Sequence, residues 1–209
     1  MPRTPSPAQH AVPSPSLLSA DLAHFDGTDP AVHPAAWKLA EHLRGIIRAA
    51  TAIPAGQELE SALPCRRRPR HRACPGWMRI VRQDIPPHIY WACSVCEDSG
   101  VIHGWQDSPY DLRPRRSAHG HTPPIVIELT AEEHAELRRL QLLDPDSERL
   151  IWGTSRAGTQ LLLAGTEDDL DNLAGFVACE SNHTDDRRRQ RRLDQVLRKL
   201  EAALGGGLG

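Results

Sequence analysis

Apolar side chains recur along this chain in three separate stretches, each with its own period. Between Pro34 and Thr51, Trp37, Ala40, Leu43, Ile47 and Ala50 return every three or four residues, which gathers them on one face of a helix. Pro34 suits the first turn, and Pro54 and Gly56 end the pattern. Between Trp77 and Gln83 apolar and polar residues alternate, as in a half-buried strand, and Ile89 to Cys93 and Val101 to Trp105 are shorter strand-like runs. After Pro124 the pattern changes again. Ile125 to Leu129 reads as a strand, and Thr130 with Glu133 forms a capping box that opens a helix to about Leu143. Arg149 to Gly153 and Thr159 to Ala164 read as the arms of a hairpin, with Gly158 at positive φ. Thr166 caps a helix carrying Leu170, Leu173 and Val177, with Cys179 expected as a buried thiol. The last helix aligns Leu193, Val196, Leu197, Leu200 and Leu204.

These elements predict an α+β fold: an N-terminal helix, a small three-stranded sheet, and a C-terminal β-α-β-β-α-α unit. The expected boundaries are a disordered or irregular tail over 1–33, a helical segment over 34–64, and a cysteine-bearing unit over 65–105. A Pro- and Arg-rich linker over 106–124, containing His119 and His121, leads to an α+β domain over 125–204 and a frayed tail over 205–209. Composition agrees with small cores joined by irregular stretches. Of 209 residues 39% are hydrophobic but only 4% aromatic, and 18 are proline. No run approaches the roughly 18 apolar residues of a membrane-spanning helix, and the N-terminus lacks the apolar core of a secretory signal. The expected location is the cytoplasm, where disulfides are disfavoured and clustered cysteines read as metal ligands.

Four of the five cysteines, Cys65, Cys74, Cys93 and Cys96, lie close together in sequence. The two-residue spacing of Cys93 and Cys96 lets one tight turn present both sulfurs to one ion, with Gly100 following where such a turn needs open backbone. Cys74-Pro75-Gly76 looks like half of a second turn. Thiolates favour Zn2+ over hard, oxygen-seeking cations. The Cys65–Cys74 spacing is longer than usual, and His71 competes with Cys65 for the fourth position. This stretch resembles a zinc ribbon. Trp91, Cys93, Cys96, Gly100, Ile102 and Trp105 are similar to a W-x-C-x2-C…G-x-I…W segment of uncharacterised bacterial proteins. The resemblance implies metal binding and no activity.

A net charge of −2 provides no global field for a polyanion, so any basic site has to be local. Arg66, Arg67, Arg68, Arg70 and Arg72 supply one, five guanidinium groups between two candidate ligands. Held at both ends by a metal, they would point outward and clamp phosphates, with Trp77, Tyr90, Trp91 and Trp105 available to stack on bases. A second basic run, Arg187 to Arg192, is flanked by acids and reads as a solvated helix face. There is no P-loop, GxGxxG, HExxH or GxSxG pattern. The expected function is therefore a non-enzymatic zinc protein contacting nucleic acid through the Arg loop, with no membrane partner and no small-molecule cofactor. The alternatives are a protein–protein adaptor, using the zinc ribbon and the leucine seam of the last helix, and an accessory domain or subunit of an enzyme.

Overall fold

The computed structural model describes residues 18–21, 33–113 and 124–205. Most of the expected N-terminal tail, the centre of the expected linker with His119 and His121, and residues 206–209 lie outside the described residues.

The described residues form a mixed α/β fold around one eight-stranded sheet. The strands are β1 (Leu18–Asp21), β2 (Glu58–Pro64), β3 (Trp77–Asp84), β4 (Pro87–Cys93), β5 (Ser99–His103), β6 (Ile125–Leu129), β7 (Ser155–Ala157) and β8 (Gln160–Gly165), in the order β1-β5-β4-β3-β2-β7-β8-β6. The β1–β5 pair is parallel and the other pairings are antiparallel. The helices are α1 (Pro34–Thr51), α2 (Ala131–Leu137), α3 (Pro145–Trp152), α4 (Glu167–His183) and α5 (Arg187–Gly205). None of them is long and apolar enough to cross a membrane.

The helix expected from Pro34 ends at Thr51, and Ala40, Leu43, Ile46, Ile47 and Ala50 on its inner face are buried. The rest of the segment expected to be helical is corrected: Glu58–Pro64 is strand β2. Its alternation was hidden because Ser61 holds an inward position between Leu59 and Leu63. The three strands expected after Cys65 are present as β3, β4 and β5, but as part of the larger sheet rather than a separate ribbon. In β3 the alternation holds, with Met78, Ile80 and Arg82 buried. Leu18–Asp21, expected as irregular tail, pairs with β5 instead, and Ala20 is buried there. Residues after Trp105 also pack. Thr51 Oγ1 accepts from the Leu112 amide at 2.9 Å, and Leu112 is buried.

In the C-terminal unit the capping box on Thr130 and Glu133 is present, but α2 stops at Leu137 rather than near Leu143. The strand expected at Arg149 to Gly153 is helix α3, because Asp144 caps it by accepting from the Asp146 and Ser147 amides and Pro145 presets its first turn. The order is therefore β-α-α-β-β-α-α. The hairpin survives in shorter form as β7 and β8, with Gly158 at φ 62°. Cys179, expected to be buried, is exposed, since the inward stripe of α4 runs through Leu170, Leu173, Ala174, Val177 and Ser181. The leucine seam of α5 is used within the fold: Leu193, Val196 and Leu200 are fully enclosed. The basic run beside it is no merely solvated face. Arg192 pairs with the buried Glu136 at 2.7 Å, and Arg189 reaches Glu180 at 2.6 Å.

Two apolar clusters result, one under α1 and one under α2 to α5. Strand β2 borders both. Its bond to the second half of the sheet is the single pair Ser61–Ser155, beside a register shift between Glu60 and Pro64. Ser61 is fully buried there, donating to the Met78 carbonyl at 2.7 Å and accepting from the Leu63 amide at 3.3 Å. Ser61→Ala removes both partners without relieving their burial. It is expected to cost about 1–3 kcal/mol by urea denaturation, with the loss shared by both clusters.

His134 generates a pH prediction. Its Nε2 lies 3.0 Å from the Ile151 carbonyl, which can only accept, so Nε2 carries a proton and donates it there. Burial lowers its pKa from 6.5 to about 4, against the hydrogen bond to Ile151 and with a smaller contribution from Arg138. The unfolded chain then takes up a proton that the folded chain refuses. Stability is complete above pH 6.5 and falls by roughly 3 kcal/mol as the pH drops to 4. Denaturation midpoints measured across that range should show this loss, and His134→Gln should remove the His134 share of it, leaving that of His42, whose pKa burial also lowers to about 4.

Candidate metal centre

Four chain segments converge at one end of the sheet. Cys65 follows the last residue of β2, Cys74 and Gly76 precede β3, Cys93 ends β4, and Cys96 lies in the turn before β5. Their sulfur atoms all lie within 4.8 Å of one another. The Cys65–Cys96 and Cys74–Cys93 separations are both 3.7 Å. A disulfide would place the sulfurs about 2.0 Å apart. Ligands about 2.3 Å from a tetrahedral ion would lie about 3.8 Å apart, close to what is found. Cys65, Cys74 and Cys93 are buried and Cys96 is partly exposed. Four cysteines so placed can hold a metal ion. His71 is exposed, with φ 63°, and is not among the converging groups.

The backbone around the sulfurs is arranged for negative charge. The amides of Arg67, Gly76 and Val95 each donate to the sulfur two residues earlier, at 3.4 Å, and the Cys96 amide also donates to Cys93 at 3.4 Å. Burial opposes ionisation of Cys93, but the Cys96 and Val95 amides outweigh it and hold this thiol below its ordinary range. Burial pushes Cys65 and Cys96 up, against the amides of Arg67 and Asp98. Four thiolates could not share so small a space without a cation, and a metal ion held between them would supply that charge.

Gly76 is the backbone position this turn requires. A Cβ there would collide with Cys93 Sγ and press on Val95. Gly100, expected to serve the turn, instead serves the packing of the sheet. A Cβ there would strike the Leu18 carbonyl and the Trp91 ring, so its absence lets β1 and Trp91 close on β5.

The Arg loop divides into two kinds of residue. The Cys74 amide donates to the Arg67 carbonyl at 2.9 Å, and a single 3-10 turn over Pro69–His71 completes the loop. Asp98 is buried beside the sulfurs, 3.8 Å from Cys65 Sγ. It faces Arg66 at 3.4 Å and Arg67 at 3.9 Å. Those two arginines are partly committed to a carboxylate that sequence spacing did not reveal. Arg68 and Arg72 are exposed, and the Arg70 side chain lies outside the described residues. The aromatic expectation is corrected at two positions, since Trp91 and Trp105 are core residues at 2% and 0% exposure. Trp77 carries Arg156 against its ring at 4.8 Å. Tyr90 stays exposed, edge-on to His88.

The two glycines give a paired test. Gly76→Ala is expected to lower metal content of the purified protein sharply, because the added methyl displaces a ligand sulfur. Gly100→Ala is expected to lower the thermal midpoint while leaving metal content near that of the parent. Metal analysis beside a melting curve for each variant checks both. Compared with protein-family models, curated proteins and solved structures, the chain shows no significant match, so its functional reading rests on this geometry.

Proposed function

We propose that this protein is a zinc-stabilised, non-enzymatic nucleic-acid-binding protein whose ribbon-like end of the sheet presents an Arg-rich loop. The convergence of four sulfurs at tetrahedral spacing carries the reading. An all-thiolate set selects Zn2+ among the common divalent ions, and a site with four protein ligands has no open position for a substrate, which makes it structural. Cys65, Cys74, Cys93 and Cys96 would hold the ion. Bound there, it locks both ends of the loop that carries Arg66, Arg67, Arg68, Arg70 and Arg72.

Charge supports nucleic acid as the partner. Asp98 offsets part of the charge of Arg66 and Arg67 and orients them, while Arg68 and Arg72 are exposed for phosphate contact. An adaptor role through the leucine seam of α5 draws no support, because that seam is enclosed within the fold.

Purified protein is expected to hold about one zinc ion per chain, and Cys93→Ser to abolish it. Binding to single-stranded oligonucleotides should weaken with salt at a slope near −0.7 per phosphate contact. Replacing Arg68 and Arg72 together with Ala should flatten the slope by about 1.4 while the zinc stays bound. A metal-free protein with an intact melting transition would sink the zinc assignment. A metal-replete protein that binds no nucleic acid at low salt would sink the partner assignment alone.

A further inference from the structure

Helix α1, the end of β2 and the C-terminal ends of α2 and α3 line a second site, which none of the four sulfurs enters. It is a concavity of about 290 Å3 whose polar walls are His42, Arg48 and Arg138, with the Trp152 ring among them. That volume lies near the lower end of ligand pockets, which start at roughly 300 Å3. Gly45 creates it in part: a Cβ there would sit 3.3 Å from the Trp152 ring, so the bare backbone lets Trp152 approach α1.

Two cations meet on that ring. Arg138 lies over Trp152 at 4.5 Å from its centroid and Arg48 at 5.3 Å, and Arg48 also covers Tyr110 at 4.9 Å. Neither forms an ion pair with a carboxylate among the described residues. The acid at the rim, Glu41, is engaged by Arg44 at 2.6 Å. Arg48 Nε and His42 Nε2 are both shielded from solvent with no hydrogen-bond partner among the described residues. Burial, then the charges of Arg66 and Arg138, holds His42 neutral down to about pH 4, so its ring offers a neutral hydrogen-bonding group beside two fixed positive charges. Burial of its guanidinium, then to a lesser degree the neighbouring Arg48, lowers the pKa of Arg138.

We propose that this pocket binds a terminal phosphate group, either the free ion or a phosphate monoester. Two uncompensated guanidinium forks match the charge of such a group near neutral pH, about −1.5 to −2, better than that of a single carboxylate or a strand-internal phosphodiester. Each fork can give two parallel hydrogen bonds to phosphate oxygens, and the cation–π contacts with Trp152 and Tyr110 hold the forks ready. The ligand is then a free phosphate ion, a small nucleotide, or the phosphorylated end of a nucleic-acid strand, and the pocket contacts are the same for all three. This inference does not rest on the zinc site, since none of the pocket's polar groups is a candidate metal ligand.

Isothermal titration calorimetry of the zinc-loaded full chain tests it, with inorganic phosphate, adenosine 5'-monophosphate, and a short oligonucleotide bearing either a 5'-phosphate or a 5'-hydroxyl. Inorganic phosphate or at least one phosphate monoester is expected to bind, and if the strand end is the ligand the 5'-phosphorylated strand exceeds its 5'-hydroxyl counterpart. Saturable binding of inorganic phosphate alone assigns the pocket to the free ion, and a gain for the nucleotide or for the strand end assigns it to that source. Arg138→Gln is the deciding variant. Arg138 as a residue is exposed, with its guanidinium drawn against Trp152, so its replacement should leave the melting transition and zinc content unchanged. It should weaken binding by about tenfold or more, as loss of a charge-assisted contact does, and Arg48→Gln should do the same. Absence of binding by inorganic phosphate and by every phosphate monoester at millimolar concentration would overturn the proposal, as would an Arg138→Gln affinity within about twofold of the parent. If the Arg68 and Arg72 double replacement lowers phosphate affinity as much as Arg138→Gln does, the ligand sits on the loop. The pocket assignment then fails while the loop reading stands.

Discussion

Strand β2 is the constraint on which both halves of the molecule depend. Its seven residues send Leu59 and Leu63 into the cluster under α1 and Ala62 into the cluster under α4 and α5, and the chain leaves it directly into Cys65. A strand that borders two cores cannot shift register without exposing apolar side chains on both sides. The buried Ser61 holds the strand where the sheet passes from one half to the other. It satisfies one carbonyl and one amide that a regular ladder would have paired. The four sulfurs meet at the end of this same strand, so whatever fixes β2 also fixes the first ligand.

Arginine carries nearly all the positive charge of this chain, and the structure sorts those charges by their surroundings. Arg189 and Arg192 pair with Glu136, Glu180 and Glu132 and join α5 to its neighbours. Leaving Glu136 buried without them would cost far more than a surface ion pair is worth. Arg66 and Arg67 share Asp98 beside the sulfurs, and Arg82 is buried under α1, donating to the Ala50 carbonyl at 3.3 Å. Arg48 and Arg138 instead meet each other on an aromatic ring with no acid between them. That uncompensated pair and the exposed part of the 65–74 loop are two places, among the described residues, where positive charge stands without an acid. Arg66 is near enough to His42 to act on its protonation, which makes the two places neighbours.

By itself the sequence determined the elements whose signals are local. The period of α1, the alternation of β3, the capping box at Thr130, the cap at Thr166, and Gly158 in the hairpin are each written within a few residues, and each appears as read. The thiol spacing was equally local, and Cys65, Cys74, Cys93 and Cys96 do come together. Tertiary structure alone decided the rest. β2 was hidden because an inward serine breaks its alternation, and only its bonds to Met78 and Leu63 show why serine belongs there. One exception was itself local: Asp144 and Pro145 open a helix, and that signal overrides the strand-like look of Arg149 to Gly153. The choice between Cys65 and His71 depended on where β2 ends, and the engagement of Arg66 and Arg67 on an acid 31 or 32 residues away. The Arg48–Arg138 pair joins residues ninety positions apart, and no spacing rule reaches that far. Capping and periodicity act through neighbours in the chain, whereas burial and charge act through neighbours in space, and those exist only once the sheet has formed.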